Sequence, residues 1–220
     1  MNPVKPTLKT EIIPVILIIL GIAASFYFYA NFPEQVPTHW NYKGEVDSYS
    51  GKAFGAFFFP VLNLGIYLLF LGLPYLDPKK NRYQEFTKVY HVFKNILILF
   101  LTLIYLYAGL AGLGYSVSVG IVIPSMIGVL FIILGNYMGK IKPNWFMGIR
   151  TPWTLSNEEV WNKTHRLGGK MFILLGLVMI CGTFLPSETF WKAFTVSIVI
   201  ILLIPMIYSY LLYRKLKENK

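Results

Sequence analysis

The chain alternates between long apolar runs and short polar segments. Most of these runs have about the 20 residues that an α-helix needs to cross a hydrocarbon core of about 30 Å. The pattern predicts an all-α integral membrane protein with six transmembrane helices. The apolar runs are roughly Ile12–Phe32, Ala53–Leu76, Val89–Leu113, Ser116–Met138, Lys170–Leu185 and Phe190–Tyr213. The fifth run is the shortest, and we expect its helix to begin before Lys170.

Lysine and arginine are distributed unevenly between the two sides that six crossings would define. With the N-terminus inside, 17 of the 20 basic residues belong to inner segments, and only Lys43, Lys52 and Lys192 lie outside. Because positive charge is retained on the cytoplasmic side, both termini are predicted to be cytoplasmic in a multi-pass protein of the cell membrane. The main outer segment is then 31–52, and the inner loops are 77–88 and 139–169.

The order helix, structured loop, helix, helix occurs twice, in residues 11–113 and 116–213. Three crossings in each half would invert the second half relative to the first, as in many transporter folds. We therefore predict a single membrane domain over residues 1–220. Its first half would carry the outer loop 31–52, its second half would carry a folded cytoplasmic loop 139–169, and an inverted repeat of three helices is a hypothesis.

Composition agrees with a membrane protein, since 55% of the residues are hydrophobic and only 14% are charged. The net charge of +10 does not indicate direct nucleic-acid binding, because the basic residues flank apolar runs and suit lipid headgroups. The first run is too long for the apolar part of a signal peptide, so we expect it to be a retained helix. The single cysteine, Cys181, excludes an intramolecular disulfide.

The outer loop contains prolines, an aromatic pair and a glycine suited to a turn. Trp40 and Tyr42 are expected at headgroup depth, with the turn at Gly44. One interpretation is a recognition surface that faces outward, and the other, favoured by the physics alone, is an interfacial anchor. The candidate recognition residues are Pro37, His39, Trp40, Asn41, Gly44 and Asp47.

The inner loop has the features of a folded segment. Gly148 permits a tight turn, and Ser156 with Glu159 forms a capping-box pattern that predicts a short amphipathic helix beginning at Ser156. Glu159 and Lys163 have the favourable order of an i,i+4 pair. The helix would lead into the fifth crossing, and the loop is either a structural plug or a docking surface for a cytoplasmic partner. The candidate residues are Gly148, Arg150, Thr151, Pro152, Trp153, Glu159, Trp161 and Arg166.

Catalytic and metal-binding patterns do not occur in the sequence, so we predict no cofactor, no metal and no enzymatic activity. The apolar runs carry almost no ionisable residues, which argues against ion-coupled transport. Lys94 is expected to extend to the inner interface, and interhelical hydrogen bonds account for Asn63 and Asn136.

Two segments resemble a known family. "GIRTPWTLSNEEVWNKTHR" (Gly148–Arg166) resembles the signature of the SdpI family of bacterial membrane proteins. "PEQVPTHWNYKGEVDSYSGK" (Pro33–Lys52) is similar to the outward loop of a domain of unknown function that often precedes it.

The resemblance implies immunity to a secreted, membrane-active peptide toxin that delays sporulation. It also implies a receptor role, in which the toxin-bound protein retains a transcriptional repressor at the membrane. The toxin would meet the outer face, the repressor the inner face, and the lipid bilayer surrounds the protein. The residues to which these roles would be carried over are Arg150, Thr151, Pro152, Trp153 and Trp161 inside, and His39, Trp40 and Asp47 outside. The main alternative is a small transporter or lipid-handling protein.

Overall fold

The computed structural model describes residues 3–218 and is mainly helical. A 3₁₀-helix at Lys80–Phe86 precedes α3, and a β-hairpin follows α1. The α-helices are α1 (Leu8–Asn31), α2 (Lys52–Leu76), α3 (Thr87–Gly112), α4 (Val119–Met138), α5 (Pro152–Ser156), α6 (Glu158–Gly182) and α7 (Ser187–Glu218).

Six helical segments within residues 3–218 are long and apolar enough to cross a membrane, which confirms the predicted fold class. The protein is thus a multi-pass membrane protein. The expectation that the fifth helix begins before Lys170 is confirmed. This crossing begins at Glu158, because the polar first turns of α6 continue without a break into its apolar part. The first crossing begins at Leu8, capped by Thr7, and therefore includes Glu11.

The hairpin adds a small β-element to the predicted all-helical fold. Strand β1 (Gln35–Trp40) pairs with β2 (Val46–Gly51) in an antiparallel sheet of two strands. The register is irregular near Pro37, which has no N–H to donate and is tolerated at an edge or a bulge.

The described chain divides into two compact units. The first comprises residues 3–5, 72–93 and 127–218, and the second comprises residues 6–71 and 94–126. The inner-loop candidates therefore belong to the first unit, and the outer-loop candidates belong to the second.

The second unit has an aromatic core that also holds the hairpin. Phe28 stacks on Phe32 with 5.0 Å between ring centroids, and Tyr105 meets Phe28 edge-to-face at 5.4 Å. Val36 of β1 is buried in this cluster, and the Tyr105 hydroxyl donates a 2.6 Å hydrogen bond to the carbonyl of Ala56. The hairpin is consequently anchored to the helices through one buried side chain of β1.

Two polar contacts lie inside the second unit. Asn63 donates to the Thr102 hydroxyl at 2.9 Å, which confirms the expected interhelical hydrogen bond. The prediction for Lys94 is wrong: it does not extend to an interface but is buried, with Nζ 2.6 Å from both carboxylate oxygens of Glu11. The Tyr67 hydroxyl donates to the same carboxylate at 3.0 Å. Pairing with Glu11 satisfies the ammonium within the bundle, so it has no need to reach water.

Glycines bring α4 and α6 close together within the first unit. A Cβ added to Gly135 would lie 2.6 Å from the carbonyl oxygen of Gly169, and one added to Gly128 would lie 2.7 Å from that of Gly176. Small residues that let two backbones approach are the usual basis of helix packing inside membranes. This packing fixes the first half of α6 beside the end of α4, where the loop between them begins.

Candidate functional site

The aromatic loop, residues 139–157 between α4 and α6, is organised around the buried side chain of Asn144. Its Oδ1 accepts the backbone N–H groups of Phe146 at 2.8 Å and Met147 at 2.6 Å. Its amide nitrogen donates to the carbonyls of Lys142 at 2.9 Å and Met147 at 3.0 Å. One side chain thus satisfies four backbone groups that have no helix or sheet partner, which explains how this loop is ordered.

Asp77, at the end of α2, joins the aromatic loop to the preceding polar segment. Its carboxylate accepts the Tyr83 hydroxyl and the backbone N–H of Trp145, both at 2.9 Å, and the N–H of Lys79 at 2.7 Å. Asp77 is buried, and these three donors provide the hydrogen bonds that a buried carboxylate needs.

His165 of α6 holds the turn at Gly148. The backbone N–H of Ile149 donates to Nε2 of His165 at 2.9 Å, and Nδ1 donates to the carbonyl of Trp161 at 2.8 Å. Because Nε2 is an acceptor here, the ring is the neutral tautomer protonated at Nδ1. Gly148 has a φ of +106°, and a Cβ at this position would collide with the His165 ring. The expected tight turn is confirmed, and it requires glycine for two independent reasons.

The short helix α5 displays the Arg-Thr-Pro-Trp segment. Thr151 caps it in a capping box with Thr154, and Pro152 occupies its first turn. The Thr151 hydroxyl lies 3.1 Å from that of Ser209, and Trp153 packs against Tyr210 with 5.0 Å between ring centroids. Both contacts attach α5 to α7.

Ser156 does not begin the predicted helix. Asn157 is the N-cap instead, and its Oδ1 accepts the N–H groups of Glu159 at 2.9 Å and Val160 at 3.1 Å. The Ser156 hydroxyl donates to the carbonyl of Trp153 at the end of α5. The predicted separate amphipathic helix is thus the first part of α6.

The predicted residues of α6 divide between its two faces. Trp161 is fully buried, stacks on His165 at 4.0 Å, and donates from Nε1 to the carbonyl of Ile141 at 2.8 Å. Glu159 is exposed and forms the expected ion pair with Lys163, at 2.7 Å. Arg166 is exposed, and its side chain packs beside Gly139. A Cβ added to Gly139 would lie 3.3 Å from Cγ of Arg166.

Arg150 is exposed at the surface of the aromatic loop. Its Nη1 donates a 2.6 Å hydrogen bond to the carbonyl of Trp145, a residue that is itself 46% exposed. The guanidinium carries five N–H donors, so this single bond leaves most of them available to a partner.

In the second unit, Asn41 organises the tip of the hairpin. Its Oδ1 accepts the N–H groups of Lys43 at 2.8 Å and Glu45 at 3.1 Å, and the N–H of Gly44 donates to its backbone carbonyl at 2.9 Å. Gly44 has a φ of +82°, which confirms the predicted turn. The backbone of Gly120 approaches Gly44, so the tip is also held against the start of α4.

The strands of the hairpin carry the remaining outer candidates. His39 of β1 and Asp47 of β2 form a 2.5 Å contact between Nδ1 and Oδ1, with the His39 side chain 68% exposed and that of Asp47 42% exposed. Pro37 pairs with Tyr49, and Trp40, which is half-buried, pairs with Val46. The six outer candidates therefore lie on one hydrogen-bonded hairpin, with the His39–Asp47 pair accessible at its surface.

Three residues that hold the aromatic loop were absent from the sequence-based candidates: Asp77, Asn144 and His165. The Lys-Pro-Asn-Trp run offered a signal for Asn144, because asparagine readily bonds to the backbone two residues further on. Asp77 before Pro78 offered a similar signal. No local pattern indicated His165, whose backbone donor lies 16 positions away.

Comparisons with known proteins agree with this division of the chain. The model of the SdpI/YfhL protein family matches residues 140–209, which include nearly all of the aromatic loop, and a domain of unknown function (DUF1648) matches residues 16–64, which include the hairpin. "Immunity protein SdpI" of Bacillus subtilis (strain 168) is 30% identical over 213 residues, which is 97% of this chain and 100% of the relative. No solved structure matches the chain. The sequence resemblance is thereby confirmed: the chain belongs to the SdpI/YfhL protein family.

Proposed function

We propose that this protein confers immunity to a secreted, membrane-active peptide toxin. The observation that carries the proposal is the similarity to an immunity protein over 97% of this chain and the whole length of the relative. A match of that extent includes the hairpin, all six crossings and the aromatic loop. A membrane-active peptide must reach the bilayer to act, so a protein that captures it at the outer surface protects the cell.

The hairpin is the proposed capture surface. The excess of lysine and arginine in the other segments favours an outward position for it. Its exposed side chains combine an aromatic group, Tyr42, with the polar pair His39–Asp47. An amphipathic peptide offers both apolar and charged groups, and a rigid element binds it with less loss of conformational entropy than a flexible loop.

Capture is tested by adding a toxin preparation to intact cells that express the protein and measuring the toxin left in the medium. We expect His39→Ala and Trp40→Ala to leave more toxin in the medium than wild type. Ser48→Ala, an exposed change on the same hairpin, is the matched control. Equal depletion by all variants at equal membrane levels would remove the hairpin from the proposal.

The aromatic loop is the proposed docking surface for a cytoplasmic repressor when toxin is bound. The support is its order, its exposed Arg150 and Trp145, and the basic residues that flank it. A guanidinium with free N–H donors can hold a carboxylate of a protein partner bidentately.

Docking is tested with a fluorescent repressor, whose membrane fraction is measured after toxin addition. Arg150→Ala should abolish recruitment while leaving toxin capture unchanged. Lys170→Ala removes an exposed cation outside the aromatic loop and is the control: it should leave recruitment unchanged. Recruitment that survives Arg150→Ala contradicts the docking role. If the wild-type protein neither captures toxin nor protects, the transporter or lipid-handling alternative becomes the leading hypothesis.

A further inference from the structure

A polar groove of about 370 Å³ lies in the first unit, between the 3₁₀-helix and the start of α6. Polar residues of both elements line it, while Pro78, Pro143 and Leu155 contribute apolar walls. The polar lining residues are Lys79, Asn81, Arg82, Thr154, Ser156, Asn157 and Glu158.

The only carboxylate in this lining is already paired. Arg82 donates to both oxygens of Glu158, at 3.2 Å from Nη1 and 2.5 Å from Nη2. Lys79 carries the second positive charge of the lining, and Nζ makes one long contact of 3.4 Å with the carbonyl of Leu155. The groove therefore has an excess of positive charge.

The groove also contains neutral hydrogen-bond donors. Asn157 uses its Oδ1 to cap α6, so the two N–H groups of its amide are not needed for the cap. The side chain of Asn81 is exposed on the opposite wall. An ammonium group with two amides around it is suited to the several acceptor oxygens of a phosphate.

The position of the groove along the crossings identifies the source of that phosphate. The groove is lined by residues at or next to an end of each of the crossings Lys52–Leu76, Lys80–Gly112 and Glu158–Gly182. The ends of helices that cross a hydrocarbon core of about 30 Å are expected at the depth of the lipid headgroups. Basic pockets between transmembrane helices are typical headgroup sites. We propose that this groove binds the phosphate of an anionic phospholipid, with Lys79 as its main cation.

The proposal is tested on the purified full-length protein in neutral detergent, by the shift of its thermal unfolding midpoint. Phosphatidylglycerol is titrated in one arm and phosphatidylcholine in the other. We expect a saturable stabilisation by phosphatidylglycerol only. Lys79→Gln should weaken the apparent affinity for it about fivefold, as expected for the loss of one basic residue near the surface. Lys80→Gln, a neighbouring lysine outside the groove lining, is the control and should behave as wild type.

A second variant separates binding from folding. Asn157→Asp preserves the N-cap, because aspartate caps as well as asparagine, but it places a negative charge in the groove. We expect this variant to fold normally and to lose the response to phosphatidylglycerol.

Three outcomes overturn the proposal. The first is equal stabilisation by phosphatidylglycerol and phosphatidylcholine, and the second is equal weakening by Lys79→Gln and Lys80→Gln. The third comes from an arm with inorganic phosphate and glycerol 3-phosphate: if these stabilise the protein and phosphatidylglycerol does not, the site takes a soluble anion instead of a lipid.

Discussion

Replacing Lys94 with methionine will leave the largely buried carboxylate of Glu11 without its cation. In the wild-type protein the Lys94 side chain is 1% exposed, that of Glu11 is 14% exposed, and Nζ lies 2.6 Å from each carboxylate oxygen. Removing one partner of such a pair costs about 3–5 kcal/mol of stability. The Tyr67 hydroxyl still donates to Glu11, a contact worth about 1 kcal/mol, and methionine fills most of the lysine volume. We therefore expect a loss near the lower limit, about 3 kcal/mol.

The assay is unfolding of the purified protein by increasing SDS at a constant total amphiphile concentration. Lys9→Met is the matched control, because it removes an exposed lysine from the start of the same helix as Glu11 and should change stability little. The double variant Lys94→Met/Glu11→Gln should recover at least half of the loss, because no uncompensated charge remains. The reasoning fails if Lys94→Met is as stable as Lys9→Met. It also fails if the stability lost by the double variant equals the sum of the losses measured for Lys94→Met alone and Glu11→Gln alone.

Three further predictions concern the loops. Gly148→Ala should destabilise the protein by more than about 1 kcal/mol. Gly114→Ala is the control and should cost less, because the φ of Gly114 is a similar +88° but its Cβ would meet nothing within 4 Å. Thermal unfolding of both variants checks this. Trp161→Phe should cost about 1–3 kcal/mol of stability, because it leaves the buried carbonyl of Ile141 without its donor. The aromatic loop should then be cut faster by protease in inside-out vesicles. An unchanged rate of proteolysis would contradict a stabilising role for this hydrogen bond. Single cysteines can be placed at Lys43 and Ser156 in a Cys181→Ser background. An impermeant thiol reagent should label them from opposite sides of the membrane. Labelling of both from the outside would refute the predicted orientation.

The number of membrane crossings could be predicted from the sequence because it depends on summed local hydropathy. A run of apolar residues has the same consequence wherever it packs, so small errors in its ends did not change the result. The start of α6 was less certain, since a capping-box pattern at Ser156 and a strong N-cap residue at Asn157 stand side by side. The structure uses Asn157, because α5 already occupies Ser156 as its last residue.

The contacts that order the two candidate surfaces could not be predicted in the same way. Glu11 and Lys94 are 83 positions apart, and a sequence pattern gives no information on pairs at that separation. The hairpin was missed because its strands lack a regular alternation of apolar and polar residues, and Pro37 argues against a strand. Its turn was predictable, since the conformation of Gly44 is a local property.

The measurement that tests the central claim most directly is survival of toxin-sensitive cells across a range of toxin doses. Cells that express the wild-type protein are compared with cells that carry an empty vector and with cells that express Trp40→Ala at the same membrane level. Immunity predicts that the wild-type curve is displaced to higher doses, with Trp40→Ala between wild type and vector. Wild-type cells that die at the same doses as the vector control, for every related toxin tried, would contradict it.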